Sequence, residues 1–397
     1  MPRLRALLEL ARPVPFAERH QLRTPAARWL DGVNSLDDYL ALCRRRVAES
    51  RTDLARTDLP DVSARDIIDG NSPFLLQPEG PARGSLVMLH GLTDSPFVLR
   101  DLAAFFCRQG LRVLGVQLPG HGTRPGDLLA LRWQDWASAH ARLIDAMAAG
   151  GEPLYLMGFS LGASLSLYQA LLRPRFRGLF LFAPALGLSP LVRASCPLAR
   201  LGRLWPRAAW FDVQPDHDPW KYESLTQRAI CEVHRLLQAR RRLEALRELD
   251  VPLFVVASAR DATLDAAAVP AWFARQRARP RRMLWYDDGR DPLPVGVERL
   301  PAADPARRIR SYAHTSLLNA PDNPWFGEQG GGRYCVHYYR LDPEKYRRCR
   351  AGGEDCLGEM FDDGADCRVI RRLTYNPRFD DMLERMLAFM DELDGRP

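Results

Sequence analysis

Gly158-Phe159-Ser160-Leu161-Gly162 is the stretch around which the rest of this chain is arranged. The apolar run 153–157 before it predicts a short buried strand, and the run 163–172 after it has helical length and spacing. A G-x-S-x-G pentapeptide between a strand and a helix is a nucleophile elbow, in which a sharp turn exposes the serine hydroxyl. The flanking glycines let the strand and the helix approach each other closely. We therefore predict that Ser160 is a nucleophile rather than an ordinary turn serine.

The composition is that of a globular protein whose positive charge comes from arginine. The chain has 397 residues, of which 46% are hydrophobic and 26% charged, and its net charge is +7. Its only lysines are Lys221 and Lys345. The small arginine clusters at 44–46 and 240–242 adjoin helical patterns, which is typical of solvated helix faces. Because no zinc-finger or RNA-binding signature accompanies them, we predict no nucleic-acid partner.

The sequence contains no pattern typical of membrane insertion or secretion. No uninterrupted apolar run approaches the ~20 residues that a membrane span needs. Near the start of the chain, Glu9 and Arg12 interrupt the apolar residues that a secretory signal would require. We therefore expect no transmembrane segment, no signal peptide and a cytoplasmic location. The cysteines clustered near the C-terminus leave a periplasmic location open.

Apolar strands alternate with amphipathic helices on both sides of the elbow. The predicted strands are 72–78 at an edge, 84–91, 111–118, 153–157, 177–184, 251–258 and 282–286, and the predicted helices are 94–109, 133–148, 163–172, 266–277 and 377–393. Continuous apolar strands in such an alternation are typical of a parallel sheet covered by helices on both faces. The predicted fold class is therefore α/β, with a mostly parallel central sheet.

Three segments fall outside this alternation. Residues 1–70 are expected to be an extension with one helix, which begins after the N-cap Ser35. Residues 186–250 are aromatic and helical, so we predict a cap over the carboxyl edge of the sheet; alternatively, its aromatic residues only pack it onto the core. The core would then comprise residues 71–185 and 251–397. Within its second part, 289–312 is expected to be a polar excursion and about 320–368 a Cys-rich insertion.

The elbow serine needs a base and an orienting acid, and in hydrolases with this elbow the chain order is serine, acid, histidine. Asp261 comes first in the loop after strand 251–258 and is the predicted acid. Asp265 is the alternative, although its position fits the N-cap of the next helix. Beyond this loop only His314 and His337 remain. His314 is the predicted base, and His337 is expected to be a structural histidine of the Cys-rich insertion.

Two backbone N–H groups are expected to form the oxyanion hole. One belongs to Leu161, directly after the nucleophile, and the other to Leu92, in the turn after strand 84–91. His90 precedes Ser160 and does not fit the position of the base, so we expect it to brace this turn by hydrogen bonding. His121, in a nearby glycine-rich loop, is expected to be structural as well.

The cysteines form two groups. Four are concentrated near the C-terminus (Cys335, Cys349, Cys356 and Cys367), and four are scattered (Cys43, Cys107, Cys196 and Cys231). The first group lacks the paired C-x₂₋₄-C spacing of a zinc knuckle, so a structural zinc site is disfavoured. Disulfides such as Cys335–Cys349 would suit an oxidising compartment. Because no secretory signal is expected, free thiols are the prediction for both groups.

Five collinear stretches over residues 74–318 together resemble the monoglyceride lipase, carboxylesterase and serine-aminopeptidase-like branch of the α/β-hydrolases. They are His90-Gly91-Leu92-Thr93-Asp94-Ser95-Pro96-Phe97, Leu118-Pro119-Gly120-His121-Gly122, Gly158-Phe159-Ser160-Leu161-Gly162, the Asp261 loop and His314. The resemblance implies an α/β-hydrolase fold and acyl transfer to water through Ser160, Asp261 and His314, with no metal or organic cofactor. The chain departs from simpler members by its N-terminal extension and by about sixty residues between His314 and the final helix.

The resemblance further implies a carboxylic ester hydrolase, similar to a carboxylesterase or a monoacylglycerol lipase. Its substrate would be a small-molecule ester with an apolar acyl chain, which the apolar insertion 186–250 suits. A peptidase or amidase is the alternative, because the triad does not distinguish esters from amides. A ligand-binding scaffold without turnover is a further alternative. The complete set of catalytic residues argues against it.

Overall fold

The computed structural model describes residues 16–25, 28–188, 196, 202, 205–362 and 364–395. The first fifteen residues of the expected N-terminal extension lie outside the described residues, as does most of 189–204 at the start of the expected cap.

An eight-stranded sheet forms the centre of the chain. Its strands are β1 (Phe74–Leu76), β2 (Gly84–Leu89), β3 (Leu111–Val116), β4 (Leu154–Phe159), β5 (Gly178–Phe182), β8 (Leu253–Ser258), β9 (Arg281–Tyr286) and β10 (Val297–Leu300); β6 (Trp210–Asp212) and β7 (Leu225–Thr226) form a separate antiparallel pair. The strand order is β1-β3-β2-β4-β5-β8-β9-β10. Only β1 runs antiparallel to its neighbour in this sheet, which confirms the predicted α/β fold class.

Helices cover both faces of the sheet. The helices are Leu36–Ser50, Ala64–Asn71, Arg100–Arg108, Trp133–Ala148, Leu161–Leu172, Gln227–Glu244, Ala268–Ala274, Pro343–Arg350 and Phe379–Asp394. Successive side chains of a strand point to opposite faces, so Val87 and Leu89 enter one apolar core while Leu86 and Met88 enter the other. The helix after the elbow packs in the first core, and the last helix packs in the second. Among the described residues, no helix combines the length and apolar character needed to cross a membrane.

Two helices precede the sheet, so the expectation of a single helix within residues 1–70 is wrong. The first, Leu36–Ser50, begins after Ser35 with a reciprocal capping box to Asp38, as predicted. The second is Ala64–Asn71, capped by Ser63. It has only eight residues and contains Gly70, so its sequence is too short to display a helical period.

The polar excursion 289–312 contains an edge strand that the sequence did not reveal. β10 pairs in parallel with β9. Glu298 and Arg299 occupy its centre, and of its four residues only Leu300 is buried. A strand with polar residues at an edge lacks the continuous apolar run that identified the central strands.

The segment between β5 and β8 lies against the turn that follows β2. The N–H of Tyr222 donates to the carbonyl of Thr93 at 2.8 Å, and Nζ of Lys221 lies 2.6 Å from Oδ1 of Asp94. The segment also carries the helix Gln227–Glu244, within the range where a helical run was predicted. It therefore lies at the carboxyl edge of the sheet, where a cap belongs; the cap boundaries 186–250 stay a prediction.

The Cys-rich insertion is cross-linked, so the prediction of free thiols is wrong for six cysteines. Disulfides join Cys335 to Cys349, Cys356 to Cys367 and Cys196 to Cys231, whereas Cys43 and Cys107 are free thiols. The insertion's strand β11 (Cys356–Gly358) pairs in parallel with β12 (Ile370–Arg372), so in the structure the Cys-rich insertion extends to Arg372, beyond the predicted end near residue 368. Since its cysteines are paired with each other, their thiolates are not available as zinc ligands.

Candidate active site

Ser160 occupies a strained turn between β4 and the helix Leu161–Leu172. Its φ is 54° and its ψ is −111°, a conformation that a residue with a Cβ rarely adopts. The turn depends on close contacts at both glycines of the pentapeptide. A Cβ on Gly158 would lie 2.3 Å from the Gly162 carbonyl oxygen, and one on Gly162 would lie 2.4 Å from the Leu89 carbonyl oxygen. The predicted elbow is therefore present in the structure, with Ser160 at the carboxyl end of a central strand.

Asp261 and His314 meet at the same edge of the sheet. Asp261 lies in the loop after β8, and its Oδ2 is 2.6 Å from Nδ1 of His314. Its other oxygen, Oδ1, accepts the N–H groups of Thr263 and Leu264 at 2.8 and 3.2 Å. Both partners are buried, so the hydrogen bond is shielded from water. With the acid held on three sides, the imidazole is fixed in one orientation.

The Asp261 carboxylate is kept ionised by its surroundings. Burial acts to raise the pKa of this carboxyl, but the His314 imidazole and then the Arg372 guanidinium favour the charged form, so its pKa lies below the usual value. An ionised acid next to Nδ1 sets the tautomer in which Nε2 is free to accept a proton.

The alternative residues are placed elsewhere. The helix after the acid loop begins at Ala268 with Ala267 as its N-cap, so the expected capping role of Asp265 is wrong. His337 lies in the Cys-rich insertion, where its ring centroid is 4.1 Å from that of Tyr338 and 6.3 Å from that of Phe361. The His314 ring, in contrast, lies against Phe159, the residue before the elbow serine, with 4.9 Å between the ring centroids.

Comparison with protein families assigns the chain. The family model described as serine aminopeptidase, S33, matches residues 80–290, which is more than half of the chain. The chain belongs to the serine aminopeptidase S33 family of α/β-hydrolases. The matched range of this S33 chain contains Ser160 and Asp261 and ends before His314 and the Cys-rich insertion.

Individual relatives are distant. A thermostable monoacylglycerol lipase from Bacillus sp. (strain H-257) is 23% identical over 171 residues, covering 43% of this S33 chain and 67% of that protein. Among solved structures, one described as LipS and LipT, two metagenome-derived lipolytic enzymes, has a TM-score of 0.48 at 22% identity and covers 55% of this chain and 88% of its own. The monoacylglycerol lipase of Paleococcus ferrophilus has a TM-score of 0.44 at 20% identity, with coverages of 54% and 88%.

In this S33 chain, two histidines brace the turn that carries Leu92. Nδ1 of His90 lies 2.8 Å from the Gly91 carbonyl oxygen, and its Nε2 accepts the N–H of Leu118 at 3.2 Å. Because a trans peptide points its C=O and N–H in opposite directions, fixing the Gly91 carbonyl also fixes the Leu92 N–H. Nε2 of His121 lies 2.5 Å from the Leu92 carbonyl oxygen. Burial, then the neighbouring His121, lowers the pKa of His90 to about 3, so it acts as a neutral donor.

Sequence reasoning missed two buried residues beside the acid and the histidine. Glu359 and Arg372 both come from the Cys-rich insertion, and Glu359 is 1% exposed. They form an ion pair, with Nε of Arg372 2.6 Å from Oε1 of Glu359. Nothing in the local sequence marks them, since Glu359 follows a short strand and its partners are distant along the chain.

Proposed function

We propose that this chain is a serine carboxylic-ester hydrolase that acts through Ser160, His314 and Asp261. The observation that carries the proposal is the 2.6 Å hydrogen bond between Asp261 and His314 at the carboxyl edge of the sheet, the edge at which the elbow holds Ser160. A strained serine and an imidazole oriented by a buried acid are the parts that nucleophilic acyl transfer requires.

The reaction has two halves with the same proton path. Nε2 of His314 takes the proton of the Ser160 hydroxyl while Oγ bonds to the acyl carbon of the ester. The tetrahedral intermediate then collapses, its bond to the alcohol oxygen breaks, and the alcohol leaves with the proton from His314. Water attacks the acyl-enzyme in the second half, giving its proton to His314. The carboxylic acid leaves, and Ser160 regains its proton.

The oxyanion would be stabilised by the N–H groups of Leu161 and Leu92. Leu161 begins the helix that follows the elbow, so its N–H and the helix N-terminus favour negative charge at that point. The Leu92 peptide is held in place by His90 before the substrate arrives, and donors fixed in advance need no reorganisation during the reaction.

An ester is a better candidate than an aminopeptidase substrate for this S33 chain. An aminopeptidase must hold the amine cation of its substrate, which an accessible carboxylate close to the reacting centre does best. Asp94 lies two residues beyond Leu92, but it is buried and already paired with Lys221 at 2.6 Å. The monoacylglycerol lipase from Bacillus sp. among the relatives also supports an ester with an apolar acyl chain.

The disulfides bear on where the protein acts. Structural disulfides form and persist in oxidising compartments and are rare in the cytosol. Three of them occur here, two in the Cys-rich insertion that contacts the active site. We infer that the protein matures in an oxidising compartment, which differs from the cytoplasmic location expected from the sequence.

The proposal is tested with a series of p-nitrophenyl esters from acetate to palmitate beside aminoacyl anilides, with Ser160→Ala as the matched blank. We expect ester turnover that disappears in Ser160→Ala, and the chain-length optimum measures the depth of the acyl pocket. Hydrolysis of the anilides without hydrolysis of the esters would indicate a peptidase instead of an esterase. Ester turnover that persists in Ser160→Ala would contradict the nucleophile.

A further inference from the structure

We propose that Glu359 and Arg372, from the Cys-rich insertion, are positioning residues that lock the acid loop and the catalytic histidine into one rigid unit. This inference rests on the function proposed above and goes beyond it, because it gives the insertion between His314 and the last helix a role in the reaction. The two residues touch the loops that carry the triad rather than the substrate.

Glu359 bonds to the acid loop and to the histidine with the same oxygen. Its Oε2 accepts the backbone N–H of Ala262 at 3.2 Å and the backbone N–H of His314 at 3.0 Å. Its Oε1 accepts the N–H of Met360 at 2.8 Å. Ala262 directly follows Asp261, so one carboxylate oxygen joins the backbones of the acid and the base.

Arg372 completes the network from the other side. Its Nε and Nη2 bind the two oxygens of Glu359 at 2.6 and 3.0 Å, a bidentate pair with fixed geometry. Nη2 also donates to Oγ1 of Thr263 at 2.6 Å, and the N–H of Thr263 in turn holds Asp261. Arg372 therefore reaches the acid loop directly as well as through Glu359.

Two paired strands and a disulfide of the insertion fix the positions of Glu359 and Arg372. Glu359 follows β11, and Arg372 ends β12, the strand paired with β11. The disulfide Cys356–Cys367 closes the connection between the two strands. β11 also bonds to the segment before the histidine, since the N–H of Arg310 donates to the carbonyl of Leu357 at 2.8 Å.

The ion pair between Glu359 and Arg372 is almost completely buried. The Glu359 side chain is 2% exposed and that of Arg372 is 10% exposed. A buried ion pair is seldom needed for stability, since apolar residues of similar volume often replace it without loss. Unlike apolar residues, this pair can form hydrogen bonds to the backbones of two separate loops. These bonds matter for catalysis because misplacing a catalytic group by about 1 Å costs on the order of 10²-fold in rate.

The test compares Glu359→Gln with Glu354→Gln in the full chain. Gln keeps the size of Glu but turns an amide N–H₂ toward one side, so it cannot accept from both the Arg372 fork and the two backbone N–H groups. Glu354 is the matched control, because it is a partly buried acid of the same insertion that pairs with Arg333 at 3.0 Å and Arg371 at 2.9 Å. The readouts are kcat and KM on p-nitrophenyl butyrate, the rate of Ser160 labelling by a fluorophosphonate, and Tm.

We expect Glu359→Gln to lower kcat and the labelling rate by about 10- to 100-fold with KM changed less than about threefold. Glu354→Gln should leave kcat and labelling within about twofold of the wild type while lowering Tm at least as much. Equal kcat losses in the two variants, or a loss of Tm without a loss of kcat in Glu359→Gln, would overturn the proposal.

A variant that keeps the charge separates positioning from the loss of a charge. Arg372→Lys keeps the charge and the ion pair but loses the fork that reaches Thr263. It should lower kcat with KM changed less than about threefold, and it keeps the proposal testable if Glu359→Gln does not fold. An Arg372→Lys enzyme with wild-type kcat would contradict the inference.

Failure of the inference is distinguishable from failure of the proposed function. If Ser160→Ala abolishes labelling and turnover while Glu359→Gln matches the wild type, the triad stands and the positioning role falls. If the wild type shows no turnover or labelling that depends on Ser160, the proposed function falls, and the positioning role falls with it.

Discussion

Nζ of Lys221 lies 2.6 Å from the Asp94 carboxylate, and this ion pair ties the segment between β5 and β8 to the turn that carries Leu92. Burial acts to raise the pKa of Asp94, but Lys221 holds it below the usual value. Replacing Lys221 by Met would leave a buried carboxylate without its partner. We expect Lys221→Met to lower the free energy of unfolding by about 3 kcal/mol, measured by urea denaturation at pH 7.

The double variant Lys221→Met/Asp94→Asn is the control for this prediction. It removes both charges, so most of the lost stability should return. The wild-type pair stabilises the fold above the ordinary pKa of an aspartate and loses this effect as the pH falls through the lowered pKa of Asp94. A Lys221→Met variant as stable as the wild type would show that the pair does not hold the segment in place.

The proposed acid of the triad is tested by comparing two aspartates of one loop. Asp261 bonds to Nδ1 of His314, so Asp261→Asn should favour the wrong imidazole tautomer and lower kcat by about 10³- to 10⁴-fold. Asp265→Asn should change kcat less than about threefold, since surface substitutions are usually mild. Steady-state kinetics on p-nitrophenyl butyrate measure both, and the reverse ranking would make Asp265 the acid.

The bracing role of His90 predicts a change in rate rather than in substrate binding. His90→Leu frees the Gly91 carbonyl and with it the orientation of the Leu92 N–H. Loss of one oxyanion donor typically costs about 10²-fold in kcat, so we expect a loss of that order with little change in KM. A parallel loss of Tm alone, with kcat preserved, would assign His90 to stability.

His140 makes stability depend on pH. It is fully buried in the helix Trp133–Ala148, and among the described residues neither ring nitrogen meets a hydrogen-bond partner. Burial, then Arg173, lowers the pKa of His140 to about 3. His140 therefore stays neutral in the folded protein, whereas in the unfolded chain it binds a proton below about pH 6.5. The free energy of unfolding consequently falls as the pH drops from that value toward 3.

Replacing His140 removes both the unsatisfied nitrogens and this proton linkage. We expect His140→Leu to raise the free energy of unfolding by about 1 kcal/mol at pH 7 and by more at pH 5. Urea denaturation at the two pH values measures the difference. A gain that is the same at both values would mean that His140 does not titrate as its burial implies.

The disulfide Cys356–Cys367 is expected to affect catalysis through Glu359. The double variant Cys356→Ser/Cys367→Ser opens the connection between β11 and β12, and it should lower both Tm and kcat. Cys196→Ser/Cys231→Ser removes a disulfide that lies outside the insertion and should lower Tm with kcat preserved. Equal kcat values in the two double variants would show that the disulfide of the insertion does not influence catalysis.

The central sheet could be predicted because its signals are local, and the pairing of Asp261 with His314 could be predicted because the chain order of such sites is fixed. Strands such as β2 and β4 are continuous apolar runs, and the helix Trp133–Ala148 was predicted with its observed bounds. The fixed chain order of elbow, acid and histidine then pointed to Asp261 and His314, which the structure brings within 2.6 Å.

What escaped prediction depends on contacts between distant parts of the chain. Cysteine spacing does not specify which thiols pair, so the disulfides could not be read from the sequence. β10 is recognised as a strand only by its pairing with β9. Glu359 and Arg372 acquire their importance from the loops they touch, and each resembles an ordinary charged surface residue until the chain is folded.

The position of Glu359 along the chain has a consequence for biosynthesis. The elbow and the acid loop emerge from the ribosome well before the insertion that holds the acid and the histidine together. We expect a nascent chain that ends shortly after His314 to possess the nucleophile but to lack the contacts that align its partners. Full hydrolytic competence would then arise only when the insertion has been made and its cysteines oxidised, which couples the onset of full activity to synthesis and oxidation of this segment.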